Sequence, residues 1–284
     1  MSPELEQKLA AAVEKMPAFP KSVQKILELT RDSNCEPKDL VQVIEKDPVI
    51  TVKVLKVLNS AYYSLPKKIT SINQSVVYLG FNTIKNMALS ITAIGILPKR
   101  NEAGFDVQQY LLHSLTTAAI AKKLAERFDD TDPMDSYIAG LLHDFGKVVF
   151  AQFMPEEFKT ALEESRQSAT PLHRVLHRSI GADHTVVGSM LAEKWQFSPH
   201  LIAAIRHHHS PLLNDGNLMA CVFAANEISK KMEFGFSGNP CVEELPSTLA
   251  ARLGGSLDEV IASLGDLTPL YDEAKLYSQV ENGE

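Results

Sequence analysis

The sequence predicts an all-α protein, and three observations carry that prediction. Apolar residues recur at three- and four-residue intervals along most of the chain. Aspartate, serine, proline and glycine punctuate that pattern at positions suited to helix ends. No succession of alternating β-branched runs appears, so a sheet core is not expected. The expected architecture is a multi-helix bundle in two helical subdomains.

Leu5, Leu9, Ala12 and Val13 fit a first amphipathic helix, which Pro17 and Pro20 break. Val23, Ile26 and Leu27 mark a second helix, and Leu40, Val43 and Ile44 a third. Asp47-Pro48 is a helix start, with a capping carboxylate followed by proline in the first turn. The helix it opens is expected to turn Val49, Val52, Leu55 and Leu58 inward and to end at Asn59-Ser60. Another helix runs from Ile72 to Leu79 and closes at Gly80. The stretch 83–97 is apolar on nearly all sides and is expected to be buried. The polar segment 98–104 is taken as a linker. Helices follow at about 106–128, 135–150, 155–168, 171–179, 183–195, 198–208 and 217–231. Beyond Phe234, the spacing of Leu249, Leu253, Val260, Ile261 and Leu264 suggests short helices that dock elsewhere. The segments are therefore 1–100, 101–232 and 233–284: an N-terminal helical subdomain, a His/Asp-bearing subdomain and a helical tail.

Composition narrows the function classes. The chain is 45% hydrophobic and 22% charged, an ordinary globular balance. Its net charge of −7 argues against a nucleic-acid partner. The start, Met1-Ser2-Pro3-Glu4, lacks the apolar core of an export signal, and the most apolar run, 87–98, is too short to span a bilayer. Cys35, Cys221 and Cys241 are odd in number and scattered, as in reduced thiols. These features lead to an expectation of a cytoplasmic protein with no membrane partner.

The histidines are the informative residues. All nine lie between His113 and His209. His143-Asp144 interrupts an apolar run, 138–150. On a continuous helix, Asp144 would share the apolar face of Leu141 and Val148, and its burial would demand a cation or metal nearby. His143 and Lys147 would lie one turn apart, and Gly146 suggests close packing. His113 shares a face with Thr117, Ile120 and Leu124, and His184 with Val187, Gly188 and Leu191. His207-His208-His209 closes a helix before Pro211. Imidazoles with one carboxylate are ligand types that iron, manganese, zinc or nickel accept. His173, His177 and His200 fit surface positions; Asp47, Asn59 and Tyr62 fit cap, turn and packing roles; Trp195 fits a packing anchor.

These motifs together resemble the HDOD branch of the HD superfamily of metal-dependent phosphohydrolases. The resemblance runs through Met16-Pro17-Ala18-Phe19-Pro20, Glu45-Lys46-Asp47-Pro48, Val57-Leu58-Asn59-Ser60-Ala61-Tyr62-Tyr63 and Tyr78-Leu79-Gly80. It continues in Leu141-Leu142-His143-Asp144-Phe145-Gly146-Lys147, the His184 segment, Trp195 and His208-His209-Ser210-Pro211, covering roughly 10–232. It implies an all-α fold in a bacterial signalling or regulatory module. Carried over from the related HD-GYP phosphodiesterases, it implies metal ligation by His113, His143, Asp144, His184, His208 and His209, with Lys147 alongside. The final aspartate of that pattern is Asn226 here, and the Gly-Tyr-Pro loop is replaced by Ser210-Pro211-Leu212-Leu213. An amide is a poorer ligand than a carboxylate, which weakens the case for hydrolysis.

Three readings follow. One is a regulatory module whose metal-capable pocket is read by a signalling protein such as a kinase or response regulator. One is a metal-dependent phosphohydrolase or phosphodiesterase, with Asp144 and Lys147 as its catalytic residues. The third is a helical scaffold with hydrogen-bonded core histidines. Under the first two, a divalent transition metal is expected as one or two ions, iron or manganese ahead of zinc or nickel.

Overall fold

The computed structural model describes residues 1–31, 36–98, 101–210 and 216–279. The readings at Cys35, at the 99–100 part of the linker and at Pro211-Leu212-Leu213 lie outside them, as do the side chains of Val23 and Leu27. The described residues contain no strand. The chain forms two compact units, one of residues 1–17 and 98–271, the other of 18–97 and 272–284. These are not the sequential segments 1–100, 101–232 and 233–284. Packing decides the difference, because the apolar face of the first helix is buried on the His/Asp-bearing half.

That first helix, α1 (Pro3–Lys15), is capped by the Ser2 hydroxyl and buries Leu9, Ala12 and Val13. The 18–97 unit contains α2 (Lys21–Arg31), α3 (Pro37–Glu45), α4 (Pro48–Leu58), α5 (Ile72–Leu79) and α6 (Phe81–Gly95). Asp47 caps α4 by accepting from the Val49 and Ile50 amides. The expected inward face of α4 is corrected. Ile50, Val54, Val57 and Leu58 are buried, whereas Val49 and Val52 are 63% and 65% exposed. Residues at i, i+4 and i+7 share one side of a helix, and the set starting from Ile50 meets α6. Helix α6 is buried along most of its length, from Ile84 to Ile94. Gly80 joins α5 to α6 with φ +82 and ψ 161, backbone angles that side-chain-bearing residues rarely adopt.

The other unit is built on α7 (Val107–Ala125), which packs against α8 (Pro133–Leu142). The helix expected over 135–150 is in fact two, α8 and α9 (Gly146–Phe153). Between them, tight bonds run from the Phe145 amide to the Leu142 carbonyl and from the Lys147 amide to the Asp144 carbonyl. There follow α10 (Pro155–Ser168), α11 (Leu172–Ile180), α12 (His184–Lys194), α13 (Pro199–His207) and α14 (Asn217–Lys231). The tail folds as α15 (Ser247–Leu253), α16 (Leu257–Leu264) and α17 (Thr268–Ser278). Leu249, Leu253, Leu257, Val260 and Leu264 join a core with Ile120 and Leu124 of α7 and Phe223 and Ile228 of α14. The residues from Asp272 onward belong with 18–97, where the Tyr63 hydroxyl donates to Glu273.

Trp195 anchors the His/Asp-bearing unit. Its Nε1 donates to the Pro17 carbonyl at 3.1 Å, and its ring meets Phe145 edge-on at 5.2 Å. Phe145 is the neighbour of Asp144, so this contact helps fix the turn. Gly146 is required there, since a Cβ would lie 2.0 Å from the His184 carbonyl oxygen. We therefore expect Gly146→Ala to destabilise the fold by about 3 kcal/mol through overpacking, read as a lower urea midpoint.

Candidate metal centre

The turn between α8 and α9 carries His143 and Asp144. On a continuous helix the side chains of His143 and Asp144 would diverge by about 100°. His143 and Phe145 keep right-handed helical backbone on either side of Asp144, and both His143 and Asp144 are buried. His113 enters from the middle of α7, His184 from the first turn of α12, and His208 and His209 from the end of α13. Ligand atoms of Asp144, His184, His208 and His209 all lie within 4.8 Å of one another, as do those of His113, His143 and Asp144.

Asp144 is the shared member, with a different group on each oxygen. Oδ2 lies 2.6 Å from Lys147 Nζ, 3.2 Å from His143 Nε2 and 3.8 Å from His113 Nε2. Oδ1 lies 3.0 Å from His184 Nε2 and 3.6 Å from His208 Nε2. Burial alone would raise the Asp144 carboxyl, but attraction to His143 and Lys147 holds it well below the ordinary carboxylate range. Lys147 is equally buried, and burial lowers its ammonium. Its Nζ also donates to Ser237 Oγ at 3.1 Å.

The histidine protons follow from their partners. His143 Nδ1 lies 2.7 Å from the Gly140 carbonyl, and His208 Nδ1 2.8 Å from the Ile205 carbonyl. A carbonyl oxygen only accepts, so each Nδ1 carries the proton. Burial holds His208 down to about 4 and lowers His184 and, more strongly, His113 and His209. With His208 neutral, its Nε2 carries a lone pair, which lies 3.3 Å from His184 Nε2 and 3.6 Å from Asp144 Oδ1. His143 Nε2 and Asp144 Oδ1 have no hydrogen-bond partner among the described residues. His184 Nδ1 and both ring nitrogens of His209 are likewise without a hydrogen-bond partner among the described residues, so several buried ligand atoms around Asp144 are left unsatisfied by the protein itself. The donor chemistry therefore fits a divalent transition ion.

Asn226 is also buried here. Its Nδ2 donates to Glu227 Oε1 at 3.3 Å, which turns Oδ1 toward His113 Nε2 at 3.1 Å. Asp144 is thus not the sole buried acid. Glu227 is also fully buried, 2.5 Å from Lys230 Nζ, and accepts from the Glu243 amide; burial raises its carboxyl.

The remaining histidines divide. His207, His177 and His200 are exposed, and His200 Nε2 lies 2.6 Å from Asp135. His173 corrects its surface reading: it is half-buried and stacks on His209, with centroids 4.1 Å apart. No helical periodicity links it to the cluster, because α11 and α13 meet the site separately. Ser237 was likewise not foreseen. The nearest signal is its flanking glycines. A Cβ on Gly235, at φ +79, would lie 2.3 Å from the His113 amide nitrogen. The sequence marks a close approach there without naming its partner.

The HDOD domain family matches residues 16–211, and the chain belongs to that family. A Treponema pallidum protein of uncharacterised function is 28% identical over 208 residues. That match covers 72% of this chain and 40% of the relative, so the chain spans less than half of that relative's length. A Geobacter sulfurreducens HDOD domain protein of unknown function superposes with a TM-score of 0.75 at 25% identity, covering 97% of this chain and 98% of its own. A Marinobacter aquaeolei protein provisionally named for signal transduction gives a TM-score of 0.78 at 22% identity, covering 97% and 65%.

The buried ion pair yields a prediction in metal-free protein. Asp144→Ala should cost about 3–5 kcal/mol, because it strands the Lys147 ammonium. Adding Lys147→Met should recover part of that loss, so urea unfolding of the four variants gives a non-additive cycle.

Proposed function

We propose that this HDOD protein is a regulatory signalling module whose His/Asp cluster binds a divalent transition metal. The observation that carries the reading is the convergence of the ligand atoms of His184, His208 and His209 with the buried Asp144 carboxylate within 4.8 Å of one another. The first ion is assigned to Asp144, His184, His208 and His209. On the opposite side, His113 Nε2 faces Asn226 Oδ1, and an N–H there serves as a donor rather than a ligand. A second ion beside His113 and His143 would require that proton to move to Nδ1. Asn226 also withholds the charge that an aspartate would supply, which favours binding over hydrolysis. A kinase or response regulator is the class of partner we assign to a module of this kind. The Marinobacter neighbour's provisional name agrees with a signalling role.

A second reading, a metal-dependent phosphohydrolase, is favoured by Lys147, a buried cation fixed on Asp144 at 2.6 Å. A bound metal would polarise a phosphoryl group and acidify a water. Lys147 would hold Asp144 in place and offer positive charge nearby.

Metal analysis after anaerobic purification separates these readings from a metal-free scaffold. Wild type should retain near-stoichiometric iron or manganese, and Asp144→Ala and His208→Ala should lose it; metal-free wild type would refute the proposal. Asn226→Asp should hold metal at least about tenfold more tightly in chelator competition. Turnover of bis-p-nitrophenyl phosphate by metal-loaded wild type, abolished in Asp144→Ala, would favour the second reading over the first.

A further inference from the structure

The 18–97 unit carries a feature that the His/Asp cluster does not use. Residues 48–97 contain five lysines and no aspartate, glutamate, arginine or histidine, in a chain of net charge −7. Within that stretch the C-terminal half of α4 and the loop 60–70 enclose a groove of about 1020 Å³. Val52, Leu55, Leu65 and Ile69 give it apolar lining, and Lys56, Lys67 and Lys68 stand on it exposed. Those three lysines make no ion pair among the described residues.

The groove is held open by its own hydrogen bonds. Asn59 Nδ2 donates to the Leu55 carbonyl at 2.7 Å and to the Ile69 carbonyl at 2.9 Å, while the Ile69 amide donates to Asn59 Oδ1 at 2.8 Å. One side chain thus ties the helix end to the far end of the loop. Ser60 Oγ, on the groove wall, is buried with no hydrogen-bond partner among the described residues. A pre-formed groove loses little conformational freedom when it is filled.

We propose that this groove docks an acidic, amphipathic peptide segment of a partner protein. Its apolar side chains would cover Val52, Leu55 and Leu65, and its carboxylates would meet Lys56, Lys67 and Lys68. Charge complementarity selects this occupant. The rim lysines pair with no carboxylate among the described residues, and Asp272 and Glu273 of the same unit lie against Tyr62 and Tyr63, outside the groove lining, so the rim repels basic and favours acidic chains. An apolar concavity suits helix-in-groove or extended-peptide recognition, whereas a bilayer meets a convex or flat apolar face. Nucleic acid is disfavoured because the groove lining offers neither arginine nor an aromatic stacking surface. The proposal does not depend on the His/Asp cluster holding metal.

Selection of a random phage-displayed peptide library on the intact chain tests it. Enriched peptides should combine bulky apolar residues with aspartate or glutamate. A synthetic peptide from that pool should bind saturably, and Lys67→Glu/Lys68→Glu should weaken it at least about tenfold. Val52→Ser, at an exposed position, should also weaken it while leaving the thermal midpoint unchanged. Selection on Lys56→Glu/Lys67→Glu/Lys68→Glu should turn toward lysine- and arginine-bearing peptides. Enrichment without acidic residues, or enrichment unaffected by the charge reversal, overturns the proposal. So does lysine-dependent binding to phosphatidylglycerol vesicles or single-stranded RNA with no acidic peptide enriched.

Discussion

Asp144 has almost no contact with solvent, and a carboxylate left unpaired there would cost several kcal/mol. The surrounding unit is arranged so that it is never unpaired. Lys147 supplies a full positive charge from the next helical turn, and Ser237 shares that ammonium from the C-terminal segment. The imidazoles of three other helices complete the shell. The helix break, the burial of Lys147 and the close approach of Gly146 to the His184 carbonyl all serve this arrangement. Gly235 does the same where the C-terminal segment passes His113.

The two oxygens of that carboxylate divide the site into unlike halves. On the Oδ1 side, His208 is committed by its carbonyl bond to presenting a lone pair, beside His184 and His209. On the Oδ2 side, Lys147 already occupies the oxygen, and His113 is turned to Asn226. An aspartate at 226 would place a second negative charge beside His113; the amide does not. On the proposed reading, this asymmetry links one residue identity, Asn226, to the number of ions the cluster would hold.

The other unit has a different physical character. Its core is α6, apolar on most sides, which leaves each surrounding helix only one face to bury. On α4 that face starts at Ile50 and not at Val49, and the consequence is a pair of exposed valines. One of them, Val52, lines the lysine-rimmed groove. An error of one residue in helix phase thus separates a core position from an exposed groove wall.

Helix content and most helix limits were legible in the chain because they follow from local physics, such as proline and aspartate at Asp47-Pro48 and apolar spacing in α7 and α12; the candidate site residues were legible from a histidine-free first 112 residues together with the family resemblance. His113, His143, Asp144, His184, His208 and His209 lie together; inward helix faces pointed to His113, Asp144 and His184, whereas His143, His208 and His209 entered through the family resemblance. Tertiary packing alone decided the rest. It split the 135–150 helix into α8 and α9, and it brought Ser237 to Lys147 across 90 residues. It also stacked His173 on His209 and took α1 into the His/Asp-bearing unit. Periodicity reports which side of a helix is buried, but not what it is buried against. Those outcomes were therefore fixed by contacts between segments distant in the chain.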